Sequence, residues 1–236
     1  MALDGDVVVE KAMPLEAGWN AIGTEAPVKS VPRAAPRKHT LTILDWDDTI
    51  LSSTHLFAEE KRAMQSNEAK ASEEFSAQMT VLESRALVLL EEARKYGDVI
   101  IITNAEAGWV ELSASQFMPN VAAYLQHCKI PVISARSRSE GMFPSEPMMW
   151  KASTFWCVVT SLYSNPQDLN LLVIGDGAGE RVAAQLLQLN LPKAVVKTLM
   201  LLPSPSTAQL TEELKITAEH FEDFVYLEKG IEANLF

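Results

Sequence analysis

Residues 41 to 49 read Leu41-Thr42-Ile43-Leu44-Asp45-Trp46-Asp47-Asp48-Thr49, a short apolar run that stops in three carboxylates within four residues. Runs of this kind, apolar throughout rather than strictly alternating, are what strands buried on both faces of a parallel sheet require. Others follow at Val99 to Ile102, Val132 to Ile133, Leu171 to Ile174 and Val195 to Leu202. Between them Leu82, Ala86, Leu89, Leu90 and Ala93 keep helical spacing, as do Phe155, Val158, Val159 and Leu162, and then Val182, Leu186 and Leu189. A last helix is signalled by Ser206 with Gln209 three residues on, a capping-box pattern, followed by Leu210, Leu214, Ala218, Phe221 and Phe224. The alternation predicts an α/β fold with a doubly wound, mainly parallel five-stranded sheet. Such sheets bind ligands beyond the carboxyl ends of their strands, so chemistry is expected where the apolar runs stop.

Residues 1–38 carry Pro14, Pro27, Pro32 and Pro36 without sustained periodicity and read as a loosely ordered tail ahead of a domain over 39–236. Within that domain, 52–78 is rich in Glu, Lys and Ser and reads as a small helical or flap insert before a helix starting near Met79. The chain's 236 residues suit one well-cored domain. No internal repeat is present.

A net charge of −11 opposes binding to nucleic acid or to an anionic membrane. It also repels phosphorylated ligands at long range, so a phosphate site here needs its own cations: a metal, a lysine or both. The first 20 residues contain Asp4, Asp6, Glu10 and Lys11 and no long apolar stretch, unlike a signal peptide, and no run reaches the roughly 18 residues of a membrane span. Cys128 and Cys157 form no CxxC pair. A reducing, cytoplasmic setting is expected.

Asp45, Asp47 and Asp48 crowd one strand end, which is unfavourable unless a cation or a shared proton offsets the charge. Alternatively they form a solvated turn or begin a helix, where acids favour the positive end of the dipole. The second run ends in Thr103-Asn104 and the fourth in Gly175-Asp176, with Lys151 between them near a helix start. A hydroxyl, an ammonium and a further carboxylate thus collect along one edge. The third run delivers Arg136 and Arg138 to the same edge, as candidate ligands for a second anionic group on a substrate; a solvated loop with Arg136 or Arg138 paired to acids such as Glu140 is the plainer reading. Trp46 is expected at the site edge, and Trp109, Trp150 and Trp156 are expected to pack. His39, His55, His127 and His220 share no metal-ligand spacing.

Two other patterns fail in detail. Gly175-Asp176-Gly177-Ala178-Gly179 imitates a dinucleotide turn, but position 180 is Glu where the last glycine belongs. A response-regulator receiver carries its phospho-accepting aspartate on a middle strand, whereas the third run here ends in Ser134-Ala135-Arg136.

The ordered set DWDDT, the strand ending in Thr103, Lys151, and Gly175-Asp176 through Glu180 resembles the haloacid-dehalogenase superfamily, over roughly Leu41 to Leu202. It is most similar to a eukaryotic branch carrying DWDDT and TNAEAGWVE segments, of unassigned substrate. The resemblance implies a Rossmannoid fold and a magnesium-dependent phosphohydrolase. Asp45 would be the nucleophile that forms an aspartyl-phosphate, and Asp47 the acid that protonates the leaving oxygen and then activates water. Mg²⁺ would be held by Asp45, Asp176 and the Asp47 carbonyl, with Glu180, where many members have Asp, in support. Lys151 and Thr103 would neutralise and hold the phosphoryl oxygens. Apart from the resemblance, Asn104, Arg136 and Arg138 are expected as substrate contacts from their place at the same sheet edge. The spacing leaves no room for a large cap domain, which suits a phosphoprotein, or a small phosphometabolite covered by another subunit. A catalytically silent relative that binds phosphorylated partners or serves in assembly is the competing expectation.

Overall fold

In the computed structural model the described residues are 39–66 and 69–235. The tail expected over 1–38 lies outside them. Six parallel strands form one sheet: β1 (His39–Leu44), β2 (Asp98–Thr103), β3 (Val132–Ser134), β4 (Leu169–Gly175), β5 (Val195–Met200) and β6 (Ile231–Asn234), in the order β3-β2-β1-β4-β5-β6. This is a Rossmann-like arrangement in which chain order reverses between β1 and β4. The carboxyl ends of those two strands therefore flank the ligand crevice.

Side chains along the strands alternate between two buried faces, the period-2 consequence of the pleat. Leu44, Val99, Ile101, Leu172, Ile174 and Leu199 enter one core, and Leu41, Ile43, Ile100, Ile102, Leu171, Val173 and Val196 enter the other. The first core is covered by α1 (Ser53–Ser66), α2 (Ala69–Tyr96), α3 (Trp109–Phe117), α4 (Pro119–His127), α8 (Thr207–Glu219) and α9 (Phe221–Tyr226). The second is covered by α6 (Pro147–Leu162) and α7 (Ala178–Asn190), and the short α5 (Ala135–Ser139) follows β3.

The sheet has six strands rather than five. Ile231-Glu232-Ala233-Asn234 is a half-exposed edge strand in which charged and polar residues alternate with apolar ones, so it lacks the continuous run that marks the other strands. Helix α2 begins at Ala69, not near Met79. The final helical pattern is broken at His220 into α8 and α9, although the capping box of Ser206 and Gln209 forms as read. In α7 the buried face is Ala183, Ala184 and Leu187, while Leu186 and Leu189 point to solvent. Helices α6 and α7 pack on each other over this core, and of the leucines of α7 only Leu187 joins it. No described helix is long and apolar enough to cross a membrane.

Candidate active site

After Leu44 the chain leaves the sheet, and the Asp45 amide donates to Ile174 O at 3.0 Å, which pins Asp45 to the end of β4. Residues 46 to 51 then fold into a tight turn: the Ile50 and Leu51 amides donate to Trp46 O at 2.9 and 3.0 Å, and the Asp48 amide to Leu51 O at 2.7 Å. Trp46, Ile50 and Leu51 anchor this turn in the core. Trp46 is fully buried, its indole N–H donating to Ser113 Oγ at 2.9 Å, so it is a core residue and not the site-edge residue expected.

The three carboxylates part company. Asp48, in the left-handed region at φ 54°, accepts from the Thr54 amide at 3.0 Å and from its hydroxyl at 2.5 Å. It therefore does what the plainer reading gave all three, stabilising the first turn of α1. Asp45 and Asp47 stay in the crevice.

Asp45 Oδ2 is 2.8 Å from Lys151 Nζ, and the same ammonium bonds the Glu180 carboxylate. All three side chains are buried, Lys151 and Glu180 each only 3% exposed. The glycines of the β4–α7 turn make room for this triad. A Cβ on Gly175 would lie 2.4 Å from Glu180 Cγ, and one on Gly177 would lie 2.9 Å from Glu180 Oε2. Glu180 is thus the counter-ion that holds Lys151 against Asp45. A Cβ on Gly179 would meet Lys151 Cδ at 3.4 Å and Asn104 Nδ2 at 4.0 Å, which brings Asn104 to the same wall. The Asn104 side-chain amide donates to Pro147 O at 3.2 Å, and its carbonyl oxygen is buried with no partner among the described residues.

Asp47 faces the other way. Its Oδ1 accepts from Trp109 Nε1 at 2.9 Å and its Oδ2 from Thr103 Oγ1 at 3.3 Å, while Thr103 Oγ1 accepts from the Ala105 amide at 3.0 Å. Burial pushes the Asp47 carboxyl pKa up; the Trp109 N–H opposes this, and the charge of Asp45 adds to it. Trp109, expected to pack, instead holds a carboxyl of the site through its indole N–H. Its position six residues past Thr103, just beyond the edge where the acids collect, was the available signal.

No family model, no curated protein and no solved structure matches the chain.

Asp176, at the end of β4, has its pKa raised to about 7 by burial first and then by the charges of Asp45 and Asp48, against which Lys151 works. Glu213 of α8, which sequence reading did not single out, is also raised to about 7, chiefly by burial, with Asp176 adding to it; its one bonded oxygen accepts from the Leu202 amide at 2.8 Å. Among the described residues no three or more His, Cys, Asp or Glu side chains gather as a ready metal cage. The donors that do stand here are hard oxygens: Asp45 Oδ1 is buried with no hydrogen-bond partner among the described residues, and Asp176 is crowded by like charge. Such a sparse set fits a small hard cation that keeps most of its own water, as Mg²⁺ does.

Arg136 and Arg138 lie in α5, not in an open loop. Arg136 pairs with Glu140 at 3.2 Å and Glu106 at 3.6 Å and lies 5.7 Å over the Trp150 ring, which matches the plainer reading for that residue. Arg138 is exposed. The serines around them tie α5 to the loop after β2: Ser134 Oγ donates to Ala105 O at 2.6 Å, and the Ala107 amide donates to Ser137 Oγ at 3.1 Å.

Proposed function

We propose that this chain is a phosphomonoester hydrolase of the haloacid-dehalogenase type, working through an aspartyl-phosphate on Asp45. The observation that carries the reading is the state of the Asp45 carboxylate: buried at the β1/β4 switch, with one oxygen on Lys151, the other without a hydrogen-bond partner among the described residues, and a second carboxyl, Asp47, held across the crevice. A carboxylate is a weak nucleophile, and it becomes effective only against a phosphoryl group whose charge is neutralised and held in line. Lys151, kept in place by Glu180, contributes one fixed positive charge. Mg²⁺, held by Asp45, Asp176 and the Asp47 carbonyl, would supply the remaining neutralisation.

In the first step an Asp45 oxygen bonds to phosphorus as the ester P–O bond breaks, and the departing oxygen takes the proton of Asp47. In the second, water bonds to phosphorus, Asp47 takes its proton, and the bond to Asp45 breaks, releasing inorganic phosphate. The raised pKa of Asp47 keeps the proton available for the first step, and its bonds to Trp109 and Thr103 fix which way the carboxyl faces. The test is hydrolysis of a panel of phosphomonoesters with and without Mg²⁺, combined with hydroxylamine capture of the acyl-phosphate and mass spectrometry of the peptide bearing Asp45. Turnover with capture at Asp45 is expected. Absence of hydrolysis across the panel would leave the silent, phosphate-binding reading in its place.

A further inference from the structure

Beyond Asp47 the crevice opens into a cleft of about 630 Å³, walled by Asp47, Phe57, Trp109 and Leu112 and by the loop 105–108. Phe57 is 49% and Leu112 60% exposed, a high exposure for large apolar side chains beside a polar site. The Phe57 and Trp109 rings stand 5.8 Å apart between centroids and tilted by 32°. Trp109 cannot turn freely, because its N–H is spent on Asp47. The one group that would hand a proton to the leaving oxygen is therefore bonded directly to an aromatic wall, so whatever carries that oxygen meets these rings first.

Among the described residues the lining holds Asp47 and Glu106 but no lysine or arginine. A second phosphate or carboxylate on the substrate would meet no cation among them, and Arg136 nearby is paired with Glu106 and Glu140. The net charge of −11 argues against the headgroup plane of an anionic membrane as the source of the apolar ligand. A flat, uncharged aromatic group is what such a wall accommodates, through offset or edge-to-face ring contacts.

Resting on the phosphohydrolase reading, we propose that the substrate is an aryl phosphate ester, a phosphotyrosyl group whose ring lies against Phe57 and Trp109. The aryl O–P bond breaks as Asp45 bonds to phosphorus, the phenolic oxygen leaves with the proton of Asp47, and water completes the cycle as above.

The experiment compares kcat/KM of the full chain with Mg²⁺ on free phosphotyrosine, on a phosphotyrosyl peptide and on the same peptide carrying phosphoserine, for wild type, Phe57→Ala and Leu112→Ala. Both substituted residues are exposed enough for the variants to fold. Wild type should prefer the phosphotyrosyl peptide by at least about tenfold, and Phe57→Ala should cut that preference about tenfold, the effect expected from one lost ring contact. Activity on free phosphotyrosine equal to that on the peptide would assign the site to a small aryl ester, whereas a peptide advantage lost in Leu112→Ala would assign it to a protein segment. Equal rates on phosphotyrosine and phosphoserine peptides, unmoved by Phe57→Ala, would overturn the inference while leaving hydrolysis intact. If no phosphomonoester is hydrolysed at all, the proposed function falls, and calorimetric titration with the same peptides decides the ligand: binding of the phosphotyrosyl form weakened by Phe57→Ala sustains it, and absence of binding overturns it.

Discussion

On one side of Asp45 stand Lys151 and Glu180, sealed from water and bonded to each other; on the other, Asp47 leans on Trp109, with Phe57 nearly half exposed beyond it. The first wall is made of charges that tolerate burial only because they are paired, so fold and chemistry depend on the same atoms. The second is made of apolar surface that the fold does not need to cover. Substitutions should therefore separate them: removing the cation of the ionic wall costs stability and activity together, whereas changes in the aromatic wall act mainly on activity, with at most a small cost in stability.

The largest effect is expected for Lys151→Met. It leaves Asp45 and Glu180 buried without their cation, and breaking a buried pair in this way costs about 3–5 kcal/mol. Denaturant unfolding should show a loss of that size along with loss of turnover, and adding Glu180→Gln should recover much of the stability but none of the activity. Recovery of both would mean that the lysine is structural alone.

Asp45→Asn probes the same wall from its functional end. Turnover should fall by about a thousandfold or more, since the proposed nucleophile is gone. The thermal midpoint should stay near that of wild type, because Lys151 keeps Glu180 and one source of like charge on Asp176 disappears. Undiminished hydrolysis would sink the mechanism.

A third test uses pH. Asp176 and Glu213 titrate at about 7 in the folded chain against ordinary values of 3.8 and 4.5. Between those limits the folded state binds more protons than the unfolded one, so stability falls as pH rises. Metal-free protein should thus be most stable below pH ~4 with respect to these two groups and lose that increment by pH ~7 to 8. Asp176→Asn should flatten the profile, and Mg²⁺ should restore stability at the alkaline end. A metal-free profile that rises across the window would contradict the burial of these carboxyls.

The smallest stability effect belongs to the aromatic wall. Trp109→Phe removes one hydrogen bond to Asp47, a loss of about 1 kcal/mol or less. Because that N–H holds the Asp47 pKa down, the limb of the activity profile that reports Asp47 should move to higher pH. An unmoved profile would mean that the Trp109 bond does not tune the acid.

Five strands, the edge they share and the capping box of α8 could be read because each depends on local sequence: an apolar run, its polar stop, or Ser206 and Gln209 three apart. What escaped depends on tertiary context. The β6 strand is held by β5 and by the Arg181–Glu232 pair at 2.7 Å, not by its own hydrophobicity. The outward place of Leu186 and Leu189 in α7 follows from Ala183, Ala184 and Leu187 entering the core, and the roles of Trp46 and Trp109 are exchanged because the fold carries the first to Ser113 inside the core and the second to Asp47. Sequence could list the acids at Asp45, Asp47 and Asp48 but not sort them, since only the folded turn sends Asp48 to Thr54.

The adjacency of β1 and β4 also bears on how the molecule assembles. Thr40 and Asn170, bonded side chain to side chain, are 130 positions apart in the chain. Joining these strands closes a very long loop, and contacts of such high sequence separation form late and slowly. Neither half of the crevice can be tested by the chain for fit until that closure occurs, because Asp45 hangs from one strand and Asp176 from the other. In refolding, recovery of Mg²⁺-dependent stabilisation should accordingly lag behind recovery of helical circular dichroism.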